Sequence, residues 1–448
     1  MRWERLIALV AVLAALVLGA APVASASSRE AEPSVVRADL VTHVFPEIGH
    51  RVVAVALRYD EPVQLRPGSA AARRAFAVTA TIDGVAAPRT VTDVYSSRAL
   101  PGDTWRRTGE VGRYIIVELD PADANASVNT NSADGATAPR DLDGAYTVSQ
   151  ATALRDDRGR ELVPPPFALE NDGVVQPVVD DFARRSFTEQ GTRLAFRFFR
   201  PERLRRGRSY PLVLFLHGGG ETGSPQVRPA NVTQITANRG AIVWATPERR
   251  AQHPAFVVAP QLPGRTSQWT EPGIQAAVMG LIERLSAAYP IDADRIYITG
   301  LSRGGRGAVE LLSNNPTTFA GALLAAARAE DDDVSGVPAF ASVPIWLTHA
   351  ADDPVVPYQG SVDIANALEA AGARVTRGEW AGDNSAGRAQ DRAAEAAARR
   401  LLAQARATAS HALFTTYTPG TVAVNAHFSW GPMYETDVML DWLFAQHR

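Results

Sequence analysis

One serine in the sequence has the surroundings of a catalytic nucleophile. Ser302 is the middle residue of a G-x-S-x-G motif at residues 300–304. The β-branched and aromatic residues 296–299 predict a buried strand before the motif, and the apolar spacing at 308–312 predicts a helix after it. The turn would expose the hydroxyl at the strand's carboxyl end, where a helix amino terminus favours developing negative charge. We therefore expect nucleophilic catalysis at Ser302, with an ordinary glycine-rich turn as the alternative.

Two further stretches with catalytic side chains or glycines follow predicted strands. Residues 217–223, His-Gly-Gly-Gly-Glu-Thr-Gly, come directly after the apolar run 210–216, and glycines there let backbone N–H groups approach an oxyanion. Residues 349–357, His-Ala-Ala-Asp-Asp-Pro-Val-Val-Pro, follow another apolar run. A carboxylate at that strand end can hold a catalytic imidazole in one tautomer. Asp352 and Asp353 are adjacent, so spacing alone does not choose between them.

The general base has to be a histidine. We expect His217 to be a structural loop residue. Of the later histidines, His411 ends an Ala- and Arg-rich helical segment, His447 is the penultimate residue, and His427 lies in a loop just before the last predicted helix. We favour His427, which gives the chain order Ser, Asp, His and differs from the two common serine-protease orders.

Composition excludes several other chemistries. The 448-residue chain has no Cys, which excludes thiol catalysis, disulfides and thiolate metal sites. It also has no Lys, since all 45 basic residues are Arg, which removes a Schiff-base lysine, a P-loop lysine and a Ser-Lys dyad. The net charge of -3 gives no electrostatic argument for nucleic acid or an anionic membrane.

The first 26 residues have the features of a secretory signal peptide. A basic start at residues 1–5 precedes an apolar run at 6–21, and Ala24-Ser25-Ala26 supplies small residues for cleavage. We expect a secreted or extracellular protein, with no stable membrane insertion after cleavage. An uncleaved membrane anchor is the alternative.

The remainder divides into two predicted domains. Residues 33–170 contain short strand-like runs typical of an all-β sandwich, with a long surface loop at 120–143. His43 and His50 are expected at the surface or in turns rather than as ligands, and the sandwich is expected to brace the second domain more than to bind polymer.

Strand and helix patterns alternate over residues 176–448, which predicts an α/β domain with a mostly parallel sheet. Residues 241–244 are expected to form a strand, and the Ala- and Arg-rich residues 386–409 an exposed helix. Ligands of such sheets bind outside the carboxyl ends of the strands.

The catalytic stretches together resemble the α/β-hydrolase superfamily. More narrowly, the chain resembles secreted esterases similar to polyhydroxybutyrate depolymerases and feruloyl esterases that carry an amino-terminal immunoglobulin-like domain. The resemblance is carried by Leu-His-Gly-Gly-Gly-Glu at 216–221, Val-Ala-Pro-Gln at 258–261, residues 291–302, His349 with Asp353 and Val-Pro at 356–357, and His-Phe-Ser-Trp at 427–430.

The resemblance implies a role for each of these positions. Ser302 would be the nucleophile and His427 the base, and the H-x-x-x-D-x-x-V-P pattern would select Asp353. The backbone N–H groups of Arg303 and Gly219 would form the oxyanion hole. Further candidates line the substrate pocket: Glu221, Trp269 and Trp430, with core packing as the alternative for the two tryptophans.

The predicted function is hydrolysis of a small or polymeric carboxylic ester through an acyl-enzyme, without metal or organic cofactor. A serine peptidase of the prolyl-oligopeptidase type shares the triad order, but no repeat of about 40–50 residues indicates its propeller. A non-catalytic exported binding protein is the other alternative. The oligomeric state and the acyl-chain length are left open.

Overall fold

The computed structural model describes residues 32–46, 48–103, 106–131, 135–223, 230–329, 333–382, 388–422 and 424–448. The predicted signal peptide at residues 1–26 lies outside this range. Residues 33–448 form one compact unit. In the described part of the chain, no helix combines the length and apolarity that crossing a membrane would require.

The amino-terminal part is a sandwich of two antiparallel sheets. The first has the order β13-β1-β2-β6-β5 and the second β12-β9-β3-β4. Residues of β1, β2, β3, β5, β6 and β9 face a shared apolar core. The strands are β1 Val35–Phe45, β2 Gly49–Val63, β3 Phe76–Ile82, β4 Val85–Arg89, β5 Val91–Ser97, β6 Gly112–Leu119, β7 Asn129–Asn131, β8 Thr137–Pro139, β9 Tyr146–Gln150, β10 Leu154–Arg155, β11 Glu161–Leu162, β12 Leu169–Glu170 and β13 Gly173–Val175, with the short helix α1 at Ala70–Ala75.

Three expectations for this half differ from the structure. The stretch 120–143 is not only loop, because β7 and β8 pair within it as a short antiparallel ribbon. His50 lies in β2 and is buried, and its Nε2 is 2.8 Å from the Thr42 hydroxyl. His43 lies in β1, with its Nδ1 3.4 Å from an Asp103 carboxylate oxygen. The prediction of surface or turn histidines is therefore wrong, because both histidines stand on strands that the second domain covers.

The carboxyl-terminal part is built on a nine-stranded sheet, with the order β14-β15-β17-β16-β18-β19-β20-β22-β21. β14, β15 and β17 pair antiparallel, and the other neighbours pair in parallel. Fully buried residues fill β16 and β19, as strands covered on both faces require. The strands are β14 Ala183–Glu189, β15 Thr192–Phe199, β16 Tyr210–Leu216, β17 Phe256–Gln261, β18 Ile291–Leu301, β19 Gly321–Ala325, β20 Ile345–Ala350, β21 Val375–Trp380 and β22 Ala412–Tyr417.

Helices cover this sheet, and the predicted fold class, an α/β-hydrolase domain after a β-sandwich, is confirmed. They are α2 Thr233–Thr236, α3 Pro247–Gln252, α4 Pro272–Ala288, α5 Arg303–Asn314, α6 Gln359–Ala370, α7 Arg388–Ala407, α8 Trp430–Glu435 and α9 Asp437–Phe444. The strand expected at 241–244 is instead a 3-10 turn at Ile242–Ala245. A short apolar run does not distinguish the two forms, and here Trp244 donates its indole N–H to the Gly240 carbonyl, four residues back, at 2.8 Å.

α7 is less exposed than its composition indicated. Four residues spaced along one helical face are buried. They are Ala394, Ala398, Leu401 and Ala405. Leu401 packs closely against the sheet at Gly378 of β21, so the charged residues of α7 cover only its outer face.

A buried arginine joins the two parts of the chain. Arg239, just after α2, donates from Nη1 to the carbonyl of Val44 in β1 at 2.9 Å. Its guanidinium also lies 3.4 Å from Asp103 of the sandwich and 2.7 Å from Glu435 of α8. Its side chain is only 9% exposed. One guanidinium therefore links a sandwich strand, a sandwich loop and a helix of the second domain.

Candidate active site

Parallel strands bring the predicted residues to one edge of the sheet. β16, β18 and β20 run in the same direction and are separated only by β19, so their carboxyl ends meet. His217 follows β16, Ser302 follows β18, and Asp353 lies three residues after β20. His427 comes from the loop after β22. The topology therefore assembles residues that are up to 210 positions apart in the sequence.

The turn at Ser302 is strained, as the motif requires. Ser302 has a φ of 52° and a ψ of -119°, a region that non-glycine residues rarely occupy. A Cβ at Gly300 would lie 2.6 Å from the Gly304 carbonyl oxygen, and a Cβ at Gly304 would lie 2.0 Å from the Leu216 carbonyl oxygen. Both positions therefore need glycine, and the close approach of β16 fixes the elbow from outside.

Ser302, His427 and Asp353 form one continuous chain of contacts. The Oγ of Ser302 is 3.1 Å from Nε2 of His427. The Nδ1 of the same ring is 2.8 Å from Oδ2 of Asp353. The main-chain N–H of His427 donates to the side chain of Asn425 at 2.9 Å, which fixes the loop that carries the ring. This is the geometry of nucleophile, base and orienting carboxylate.

Asp353 is held as a carboxylate. Burial alone would raise its pKa, but hydrogen bonds from His349, His427 and the backbone N–H groups of Val356 and Val355 leave the pKa well below its usual value. Nε2 of His349 lies 3.1 Å from the same oxygen that faces His427. The neighbouring Asp352 instead accepts from the Gly420 N–H at 2.9 Å. The carboxylate placed against the imidazole is therefore that of Asp353.

The other candidate histidines lie elsewhere. His411 sits before β22, with its Nε2 2.7 Å from the Ala341 carbonyl oxygen, and His447 is exposed near the end of the chain. His217 is fully buried: its Nε2 accepts from the Leu262 N–H at 3.0 Å, and its Nδ1 lies 2.8 Å from the Gly218 carbonyl. Burial lowers the pKa of His217 to about 4, which suits a neutral ring that shapes the loop.

The two residues predicted to form the oxyanion hole, Arg303 and Gly219, lie close to Ser302. Arg303 begins α5, so its N–H is one of the first-turn donors that have no acceptor within the helix. Gly219 belongs to the loop after β16 and lines the same cavity as Ser302. A Cβ on Gly219 would be in ordinary van der Waals contact with the Arg303 guanidinium, at 3.6 Å. The two predicted oxyanion-hole residues are thus neighbours in space.

Hydrogen bonds of Glu221 hold the loop after β16 in place. Its carboxylate accepts from the Asn238 side-chain amide at 2.7 Å, and its main-chain carbonyl accepts from the Gln261 amide at 2.9 Å. Burial raises the pKa of Glu221 to about 7, although hydrogen bonds from its own backbone N–H and from Asn238, and the nearby Arg303, act in the opposite direction. Asn238, which donates to Glu221, immediately precedes Arg239, whose guanidinium links the two domains.

Ser302 opens into a cavity of about 530 Å³ that lies between the two domains. Of the predicted pocket residues, Glu221 and Trp430 line it, and the Trp430 ring stands edge-on to His427 at 5.0 Å. Trp269 is not among the lining residues: it is buried, and its indole N–H donates to the His217 carbonyl at 3.0 Å. Trp269 therefore supports the loop from the core.

Several contributors escaped the sequence reasoning. His349 contacts Asp353 and Asn238 contacts Glu221, although neither was assigned a role. The sandwich also supplies much of the cavity wall, which the sequence reasoning did not predict. Its lining residues are Ile48, Gly49, His50, Arg51, Ser127, Asn129, Asn131, Gly135 and Thr137. The clustered Asn, Ser and Thr residues at 125–137 were the only sequence signal, and they equally fit a solvated loop.

Comparison with known proteins agrees with this architecture. Residues 37–163 match the family described as the esterase Ig-like N-terminal domain, and residues 205–386 match phospholipase/carboxylesterase. No curated protein matches the chain.

Among solved structures, a thermostable esterase is 30% identical with a TM-score of 0.75, over 92% of this chain and 100% of that one. A feruloyl esterase module from Clostridium thermocellum is 11% identical with a TM-score of 0.41, over 59% of this chain and 88% of that one. An acetyl xylan esterase from Aspergillus awamori is 13% identical with a TM-score of 0.32, over 42% of this chain and 79% of that one. The match to the thermostable esterase spans both domains, and the chain therefore belongs to the carboxylesterase family of α/β-hydrolases that carry an amino-terminal immunoglobulin-like domain.

Proposed function

We propose that the protein is a secreted serine esterase that uses Ser302, His427 and Asp353 as its catalytic triad. The observation that carries the proposal is the unbroken chain of contacts from the Ser302 hydroxyl through the His427 ring to the Asp353 carboxylate. The strained elbow supports it, because strain of this kind is retained where it serves a site.

In this mechanism the Ser302 Oγ attacks the ester carbonyl carbon while its proton passes to Nε2 of His427. Asp353 keeps the Nδ1 proton of His427 in place and stabilises the imidazolium that forms. The negative charge on the carbonyl oxygen is stabilised by the backbone N–H groups of Gly219 and Arg303. Each such donor is worth roughly 2.7–4 kcal/mol in the transition state of other enzymes.

The tetrahedral adduct then expels the alcohol, which takes the proton from His427, and leaves an acyl group on Ser302. A water molecule gives a proton to His427 and attacks the acyl carbon. Collapse of the second adduct releases the acid and returns the proton to Ser302. Apart from the ester and this water molecule, the groups in these steps are side chains and backbone N–H groups of the chain.

The direct test is hydrolysis of p-nitrophenyl esters from acetate to palmitate by the wild type and by Ser302→Ala. We expect hydrolysis by the wild type alone, and a fluorophosphonate probe that labels only the wild type. A folded Ser302→Ala protein that keeps the wild-type rate, or takes the label, would refute the assignment. The acyl length of the best substrate measures the reach of the cavity.

The proposed secretion rests on residues 1–26 alone. Their basic start, apolar run and Ala24-Ser25-Ala26 site support cleavage before Ser27. Expression of the full chain in a secreting host, followed by mass spectrometry of the protein in the medium, should find Ser27 as the first residue. A cell-bound protein that retains residues 1–26 would contradict it.

A further inference from the structure

The cavity at Ser302 has two chemically different walls. The second domain supplies its aromatic lining, Phe428 and Trp430, whose rings lie 5.1 Å apart beside His427. The sandwich supplies mostly hydrogen-bonding side chains, from the end of β7 and the start of β8 among others. We call the side chains of His50, Asn129, Asn131 and Thr137 the polar wall.

Two atoms of the polar wall lack a hydrogen-bond partner among the described residues although both are buried. They are the side-chain oxygen of Asn129 and Nδ1 of His50. Nε2 of His50 lies 2.8 Å from the Thr42 hydroxyl, which is also 3.4 Å from the Val175 carbonyl oxygen. The tautomer of the ring sets whether the unpaired Nδ1 donates or accepts. The Asn129 oxygen therefore requires a donor, and Nδ1 of His50 requires either a donor or an acceptor.

The β7–β8 ribbon beside these atoms also has side-chain groups that can still form hydrogen bonds. The hydroxyl of Thr137 donates to the side-chain oxygen of Asn131 at 3.2 Å. The amide nitrogen of Asn131 donates to none of the described residues, so it can offer its two hydrogens to a ligand. The polar wall thus has an unpaired acceptor at Asn129, an unpaired ring nitrogen at His50 and a donor at Asn131, all from residues that line the same cavity as Ser302.

An apolar substrate chain would be a poor occupant of this wall. It would offer no hydrogen bond to the amides or the imidazole, and unpaired buried polar groups are costly. Hydroxyl groups both donate and accept, so they can pair with the Asn129 oxygen, with the Asn131 amide nitrogen and with either tautomer of His50. The carbon skeleton of a polyol could meanwhile lie against Phe428 and Trp430.

We propose that the polar wall binds hydroxyl groups of the substrate, so that the preferred substrates are short esters whose alcohol or acyl part carries several hydroxyl groups. This inference rests on the proposed function, because it places the ester group at Ser302. It assigns to the sandwich a part in substrate choice, in addition to its structural contact through Arg239.

The test uses two pairs of esters that differ only in hydroxyl groups. Glycerol 1-monoacetate and propyl acetate vary the alcohol, and methyl 2,3-dihydroxypropanoate and methyl propanoate vary the acyl group. For each ester, kcat/KM is divided by its rate of hydrolysis by hydroxide, which removes intrinsic reactivity. We expect the wild type to prefer the hydroxylated member of at least one pair by about tenfold, the scale of one or two net hydrogen bonds.

Two variants of nearly the same shape remove the hydrogen-bonding groups. In Asn129→Leu and Thr137→Val we expect the preference to fall to within about threefold of unity. Asn366→Leu, at an exposed amide on α6, is the matched control and should keep the wild-type preference. Circular dichroism and p-nitrophenyl acetate hydrolysis establish that each variant is folded and active.

The outcomes separate this inference from the proposed function. A wild type that shows no preference in either pair, or a preference that both wall variants retain, overturns the role of the polar wall while Ser302-dependent hydrolysis of p-nitrophenyl acetate stands. Activity on p-nitrophenyl acetate that survives in Ser302→Ala overturns the proposed function, and this inference with it. A preference in the alcohol pair or in the acyl pair identifies which part of the ester faces the wall.

Discussion

The two sides of the cavity differ in how completely their polar groups are satisfied. On the catalytic side, each of the residues Ser302, His427 and Asp353 is held by a hydrogen bond to a neighbour in the same set, and Asp353 by four contacts in all. On the sandwich side, Asn129 and His50 each keep a buried polar atom without a hydrogen-bond partner among the described residues. We infer that the second domain positions the reacting groups before a substrate binds. The unpaired polar atoms of the sandwich instead find their hydrogen-bond partners in the substrate.

Removing the nucleophile should have the largest effect on catalysis and almost none on stability. In Ser302→Ala we expect kcat to fall about a million-fold, because the triad acts as a unit. The polar wall and the sandwich core are untouched, so the melting temperature should not fall. Stopped assays with p-nitrophenyl acetate and thermal unfolding measure the two effects. A large loss of stability would mean that Ser302 supports the fold rather than the chemistry.

The adjacent carboxylates provide a sharper test on the catalytic side. In Asp353→Asn we expect kcat to fall about ten-thousand-fold, because an amide favours the wrong tautomer of His427. Asp352→Asn is the control, since that side chain only accepts from the Gly420 N–H at the surface, and it should stay within about twofold of the wild type. Equal losses in the two variants would contradict the assignment of Asp353.

Much of the catalytic side has a local signal in the sequence. Gly300 is required by a contact within the elbow and Gly304 by the close approach of β16. His217 and the Asp352–Asp353 pair follow strands whose continuous apolar runs are visible in the sequence, and the family pattern selects Asp353. The position of His427 was reached by elimination and by the family pattern, since nothing local distinguishes its loop.

The sandwich side was not predictable in the same way. Asn129 and Thr137 become cavity wall only because the ribbon docks against the second domain, and no local pattern encodes that contact. The prediction for His50 was wrong for a related reason, because a histidine on a strand is exposed or buried according to what packs over it. The prediction of a strand at 241–244 was wrong because a short apolar run carries no periodicity.

The junction between the sides can be broken at Arg239. In Arg239→Met we expect the free energy of unfolding to fall by about 3–5 kcal/mol, because the ion pairs of the buried guanidinium with Asp103 and Glu435 are lost. Arg377→Met is the matched control: its ion pair with Glu369 is exposed, and such pairs contribute about 0–1 kcal/mol. Urea unfolding of both variants decides the point. A similar small loss in each would mean that the buried arginine does not hold the domains together.

Glu221 gives the smallest of the expected effects. It lies between the loop that carries Gly219 and the residues Asn238 and Arg239. Its pKa is raised from 4.5 to about 7, chiefly by burial, so the folded protein binds this proton more tightly than the unfolded chain. The resulting stability is fully present below pH 4.5 and is lost as the pH rises through about 7. The gap corresponds to at most about 3 kcal/mol.

The measurement compares urea unfolding of the wild type and Glu221→Gln at pH 5 and pH 8. Gln cannot ionise, so the stability of the wild type relative to the variant should decrease between the two pH values, by up to about 3 kcal/mol. Glu283→Gln, on the exposed face of α4, should show no such change in the difference. A constant difference for Glu221→Gln would mean that this carboxyl ionises as freely in the folded protein as in the unfolded chain. In that case the loop that carries Gly219 would rest on a solvated group, and the contrast between a fixed catalytic side and an adaptable sandwich side would lose its support at the point where they meet.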